Sequence, residues 1–248
     1  MSLFGNTTNF FLNICVYLSL IAGQSSFESD TIITSGGDLG ITFISHGSLR
    51  FDYQQKIIYV DPCSRFADYS GLPKADLILI THHHFDHLDS ALISQLSKSS
   101  TQIVGTTLVA ESLPGVTIMT NGDTLTTVGR IPIRAVPAYN LIHQRDSGGP
   151  FHPKGEDNGY VITFSDTKVY VASDTENIPE MIELTDIHIA FLPMNLPYTM
   201  TPEMVVDAVS KFHPKILYPY HTGDTDIQVL IDLLSDVKDC EVRVRALQ

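Results

Sequence analysis

From Gly40 onward the chain alternates apolar and polar positions with a period close to two, broken in a few places by a helical period. Ile41 to Ser45, Ser48 to Tyr53 and Lys56 to Val60 are short runs of this kind, separated by the steps His46-Gly47 and Gln54-Gln55. Runs joined by such short turns predict an antiparallel meander. Ala75 to Ile80 (ADLILI) is continuous rather than alternating, which predicts a strand buried on both faces. Leu88, Leu92, Ile93 and Leu96 then follow a helical spacing. They predict a helix over Leu88 to Lys98, with Asp89 as its cap. Gln102 to Val104 and Val116 to Met119 read as further strands.

A second block repeats the scheme. Ile131 to Val136, Gly159 to Phe164 and Lys168 to Ala172 alternate, with Ser165-Asp166 as a hairpin turn, and Ile187 to Leu192 is another buried run. Pro202 to Phe212 has helical periodicity behind Thr201 as N-cap. Ile216 to Tyr218 reads as a strand, Ile227 to Val237 as a helix and Glu241 to Leu247 as a closing strand. Two similar strand-rich halves fit two packed sheets with helices outside. One mixed sheet covered by helices fits the same pattern.

The N-terminus departs from this alternation. Phe10 to Gly23 (FFLNICVYLSLIAG) is almost wholly apolar, and the polar run GQSSFESD follows. Its length suits a signal peptide and is short for a membrane span of about 20 residues. The expectation is an export signal over 1–25 cut after Ser25, leaving a domain over 26–248 that is secreted or periplasmic and not inserted in a membrane. No Lys or Arg precedes the apolar run, so an uncleaved anchor and a buried strand or helix stay open. Cys15 lies in this segment. Cys63 and Cys240 are expected to be unpaired structural residues.

Charge narrows the partners. The chain of 248 residues has 28 Asp and Glu against 15 Lys and Arg, a formal net charge of −13. A polyanion-binding surface needs concentrated positive charge, so nucleic acid is not expected. A small-molecule substrate is. The sequence does not set an oligomeric state.

The densest chemistry is His82-His83-His84-Phe85-Asp86-His87, an H-x-H-x-D-H run between the predicted buried strand and the helix. Imidazole and carboxylate are ligands for zinc and similar ions. On a loop, alternate side chains can face one cavity. His82 and His84 would then point the same way, Asp86 and His87 would face a neighbouring ion, and His83 would point away.

With this motif, the segments SHGSLRF, IYVDP, VPAYN, FHPKG, YVASDTENIPEM and YPYHTGD resemble the metallo-β-lactamase superfamily, in its lactonase-type branch, over about Gly40 to Leu247. The resemblance implies a four-layer αββα sandwich of the α/β (α+β) class, with the site at one edge where loops of both halves meet. It implies two divalent metal ions, zinc first with manganese or iron as options. It also implies His82, His84, Asp86, His87, Asp174 and His221 as ligands, with Asp174 spanning both ions. The family's β-lactamases carry a histidine where this chain reads Val136-Pro137-Ala138-Tyr139-Asn140. His152, or else His143, is the candidate replacement. His152 as a substrate contact or a structural residue stays open. The family's oxygen-reducing diiron members use Glu where His84 stands, which disfavours iron redox chemistry.

The expected activity is metal-dependent hydrolysis of an ester or lactone by a metal-activated hydroxide. A small-diester phosphodiesterase or phospholipase-like enzyme is the alternative. Asp86 would orient the attacking oxygen. Tyr139, Asn140 or His152 could donate to the developing oxyanion. His46, in the first hairpin turn, is a further candidate site residue. Asp61 is read as support for the metal loop or as a plain turn residue.

Overall fold

The computed structural model describes residues 27–247. The expected export signal over 1–25 and Cys15 lie outside them. Two seven-stranded sheets pack face to face. The first contains β1 (Ser29–Thr34), β2 (Gly37–Ser45), β3 (Ser48–Tyr53), β4 (Lys56–Val60), β5 (Leu77–Leu79), β6 (Gln102–Gly105) and β7 (Thr117–Ile118), in that spatial order. The second contains β8 (Thr124–Thr126), β9 (Pro132–Ala138), β10 (Asp157–Phe164), β11 (Thr167–Val171), β12 (Ile187–Pro193), β13 (Ile216–Tyr220) and β14 (Glu241–Val242), again in sequence order across the sheet. Each half is an antiparallel meander of four strands followed by parallel strands. The single mixed sheet is excluded.

The helices cover the outer faces. They are α1 (Ser90–Leu96) and α2 (Thr107–Ser112) in the first half, and α3 (Pro202–Phe212) and α4 (Ile227–Leu234) in the second. Side-chain alternation places three apolar layers between four structural ones. Along β11, Val169 and Val171 enter the core between the sheets, while Tyr170 and Ala172 face the layer under α3 and α4. Ile44, Tyr59, Ile78 and Ile80 meet Leu92, Ile93 and Leu96 of α1 on the opposite side. The central layer is rich in aromatics: Phe43, Phe51, Phe164, Phe191, Tyr218 and Tyr220 are fully buried there. Each buried side chain of this size stabilises the fold by about 1.5–3 kcal/mol.

Capping follows the sequence. Asp89 accepts from the Leu92 amide and Thr201 from the Met204 amide, closing the first turns of α1 and α3. Two elements carry too weak a pattern to have been expected: β1 and α2. The closing strand is shorter than expected. β14 stops at Val242, because Arg243 and Arg245 turn back to the carboxylate of Asp30 at the start of β1. The tail then crosses to the first sheet, where the Leu247 carbonyl accepts from the His46 amide. Cys63 and Cys240 are buried and free, as expected. Among the described residues no helix is long and apolar enough to cross a membrane.

Candidate metal centre

The histidines and aspartates sit where strands of both sheets end at one edge. His46 follows β2, Asp61 follows β4, the 81–87 loop follows β5, Ser173-Asp174 follow β11 and His221 follows β13. Four of these residues take left-handed backbone: His46 (φ 50), Asp61 (φ 44), Ser173 (φ 66) and His221 (φ 46). Non-glycine residues rarely adopt it, and where they do the surroundings must hold them there. Here the turn swings each chain off its strand end and toward the shared edge.

Asp174 is at the centre. Its carboxylate lies 3.4 Å from His152 Nε2, 3.5 Å from His221 Nε2, 3.6 Å from His87 Nε2 and 4.0 Å from His82 Nε2. Asp86 Oδ2 is 3.2 Å from His46 Nε2, 3.7 Å from His221 Nε2 and 3.9 Å from His87 Nε2. Potential donor atoms of His82, His84 and His152 fall within 4.8 Å of one another, and so do those of His46, Asp86, His87 and His221. The six ligands implied by the resemblance therefore converge, together with His152 and His46. His83 is exposed and belongs to neither group. His143 also stands apart, with Nδ1 2.9 Å from Glu176.

The residues fit divalent cations. Nε2 of His82, His87, His152 and His221 and Oδ1 of Asp174 are buried without a hydrogen-bond partner. Buried polar atoms left unpaired are costly and rare. Most of the separations are too long for hydrogen bonds. Donors sharing an ion at about 2.1 Å stand about 3.4 Å apart, close to what is found. Charge argues the same way. Asp61, Asp86 and Asp174 crowd the site, and among the described residues no Lys or Arg is paired with any of them. Burial opposes a charged His87, but the Asp174 and Asp61 carboxylates outweigh it and hold its pKa well above the ordinary value. Burial, reinforced by His87, holds His82 well below. The site demands positive charge, which bound cations would supply.

Neighbouring residues fix the imidazoles. Asp61 Oδ2 lies 2.8 Å from His87 Nδ1, and Asp61 also accepts from the Thr81 amide and hydroxyl at 2.7 and 2.6 Å. Asp61 is thus a support and not a plain turn residue. Asn140 Oδ1 lies 2.9 Å from His152 Nδ1 and accepts from the His152 amide at 2.8 Å. Both contacts leave the Nε2 atoms facing inward. Asn140 Nδ2 donates to Glu176 and to the Tyr198 carbonyl, so its amide is fully engaged. The Tyr139 hydroxyl is turned toward Glu180 (2.8 Å) and Lys154 (3.2 Å). Neither group lines the cavity, so neither faces a reacting oxygen as expected.

A cavity of about 340 Å³ opens over the cluster, walled by His84, Phe85, Asp86, Arg145, Phe151, His152, Asp174, Asn195, Tyr198 and His221. A larger concavity along β8–β10 has no His, Asp, Glu or Cys in its wall. Sequence reasoning missed Glu176, which is fully buried and accepts from the amides of Leu141, Ile142 and His143, shaping the loop that carries His152. Its signal was a second acid only two residues after Asp174. It also missed Arg145, the one cation between Arg134 and Lys154.

A profile of the Beta-lactamase superfamily domain matches residues 40–221. The chain belongs to the metallo-β-lactamase superfamily. The match spans the hairpin that holds His46 and ends on His221. A metal-dependent hydrolase of Methanopyrus kandleri is 28% identical over 200 residues, which is 74% of this chain and 84% of that one. A crystal structure described as a metal-dependent hydrolase from Parabacteroides distasonis is 50% identical, with TM-score 0.85 over 90% of this chain and 100% of that one. Igni18, a metallo hydrolase of Ignicoccus hospitalis, shares the fold at 23% identity, with TM-score 0.68 over 84% and 95% of the two chains. This superfamily member is a metal-dependent hydrolase, and its cluster provides the groups such chemistry needs.

Proposed function

We propose that the protein hydrolyses a small ester or lactone with two divalent cations, zinc in the first place. The observation that carries this reading is the set of inward-facing, unpaired Nε2 atoms around Asp174 at the floor of a cavity sized for a small ligand. His82, His84 and His152 would hold one cation, and Asp86, His87 and His221 the other, with Asp174 between them. Bound there, the cations would polarise the substrate oxygen and lower the pKa of water from about 16 to about 7. Asp86 stands in the cavity wall, where Oδ2 can take the proton of an attacking water while His46 Nε2 holds it in place. His152 reaches the same wall and is fixed from behind by Asn140.

The test is elemental analysis of protein purified without chelator, followed by a lactone, a thioester and bis(4-nitrophenyl) phosphate, each with and without chelator. Two ions per chain and chelator-sensitive turnover of the lactone or thioester are expected. Absence of metal after zinc or manganese is added would overturn the reading. Turnover of the phosphodiester alone would replace it with the diesterase alternative.

The apolar run before residue 24 supports export as part of the same proposal. N-terminal sequencing of protein recovered outside the cytoplasm should find a mature start at Ser26, and a start at Met1 would count against it.

A further inference from the structure

The cavity wall has one side chain with a permanent positive charge, Arg145. Two of its guanidinium nitrogens are held in place: Nη2 donates to the Phe151 carbonyl at 2.9 Å and Nε to the Pro150 carbonyl at 3.4 Å. Its carbon Cζ stands 5.4 Å from the centre of the Phe151 ring, itself a wall of the cavity. Behind a second wall residue, Phe85, Arg65 Cζ lies 4.8 Å from the centre of its ring. Among the described residues no carboxylate lies within 4.0 Å of either guanidinium, although acids outnumber bases 28 to 15 in the chain. Carbonyl oxygens and aromatic faces orient a guanidinium without neutralising it. Among the described residues, the hydroxyl of Tyr198, also in the wall, has no hydrogen-bond partner.

Resting on the hydrolase reading above, we propose that the substrate is a small organic anion. Its carboxylate or phosphate is gripped at the cavity mouth by Arg145, with Arg65 adding to the local field. Its middle lies between the aromatic walls, and its scissile carbonyl reaches the histidine cluster. A planar guanidinium with free N–H groups matches either anion in a two-pronged hydrogen bond. A cavity of about 340 Å³ suits a small substrate with a few carbon atoms between the two ends. The reaction adds water across the acyl C–O bond: a new C–O bond forms from water, the old one breaks, and the water protons end on the leaving oxygen and in solution.

The experiment compares three 4-nitrophenyl esters on the metal-loaded enzyme: the pentanoate, which is neutral, the hemiglutarate, and an analogue ending in a phosphonate on the same chain. The readout is kcat/KM for each charged ester divided by that for the neutral one. At least a tenfold preference for one charged ester, expressed mainly in KM, is expected, and the favoured ester identifies the anion. In the Arg145→Ala variant that ratio should fall toward one, and Arg145→Lys should restore part of it. Cleavage of all three esters without preference overturns the anion subsite and leaves the hydrolase reading standing. A preference that survives Arg145→Ala overturns the assignment to this residue. Cleavage of none, with metal bound, overturns the ester reading and this proposal with it.

Discussion

Asp61 holds His87 by a 2.8 Å contact between Oδ2 and Nδ1, and both side chains are buried. With Nδ1 donating to the carboxylate, Nε2 keeps its lone pair for the cluster around Asp174. Asp61 itself is locked by the amide and hydroxyl of Thr81. Replacing it with Asn weakens the acceptor and can reverse the ring tautomer. Asp61→Asn should lower metal affinity about 10–100-fold, as removal of such orienting partners does elsewhere. Competition against a metal-binding dye reads this directly.

Asn140 does for His152 what Asp61 does for His87. In Asn140→Ala the buried Nδ1 of His152 and the Glu176 carboxylate each lose a partner. The expected cost is about 1–3 kcal/mol of stability. Loss of one ion per chain should accompany it, read by denaturant titration together with elemental analysis. Normal metal content in a well-folded variant would show that His152 is held by other means.

Gly47 is a close-approach glycine. A Cβ there would stand 2.8 Å from His87 Cε1 and 3.3 Å from its Nδ1, in a wall with no room to yield. Gly47→Ala should cost about 1–3 kcal/mol through overpacking and displace His87 from Asp61. Thermal unfolding of metal-free and metal-loaded protein separates the two effects. The loaded form should lose more.

Asp30 ties the first strand to the tail. Arg245 and Arg243 face its carboxylate, and the Tyr218 hydroxyl donates to it. Burial raises its pKa, but Tyr218 and Arg245 outweigh that and hold it below 3.8. A depressed folded pKa gives stability that is present above the unfolded value and lost as pH falls through the folded one. Asp30→Asn should therefore cost about 1 kcal/mol at neutral pH, the scale of a partly exposed ion pair. The difference from the parent protein should shrink below about pH 4. Urea melts at pH 7 and pH 3 give the comparison.

Removing metal should loosen the whole edge, because the orphaned Nε2 atoms of His82, His87, His152 and His221 then face one another across two carboxylates. Ion present at 100 times its dissociation constant contributes about 2.7 kcal/mol. Chelation should lower the melting temperature, and zinc should restore it. An unchanged melt would mean that the cluster satisfies itself without a cation.

Much of this protein is local and periodic, and therefore legible in the chain. The meander from Ile41 to Val60, the buried run at Leu77, and the helices capped by Asp89 and Thr201 follow from spacing and capping chemistry. The run from His82 to His87 exposes its chemistry because all its donors fall within six residues on one loop. Where neighbouring residues do not carry the signal, the reading stops. Two sheets and one mixed sheet share the same alternation, and only packing of Phe43, Phe191 and Tyr218 between them distinguishes the two. Tyr139 looked like a cavity donor until Lys154 and Glu180 took its hydroxyl. The tail looked like a strand until Asp30, more than 200 residues away, drew its arginines aside. The placement of His152 beside His82 and His84 depends on a loop folded around Glu176 and Asn140. Sequence determined which groups are available and which elements form. Tertiary structure decided which groups meet, since contacts across 70 or more residues leave no trace in local periodicity.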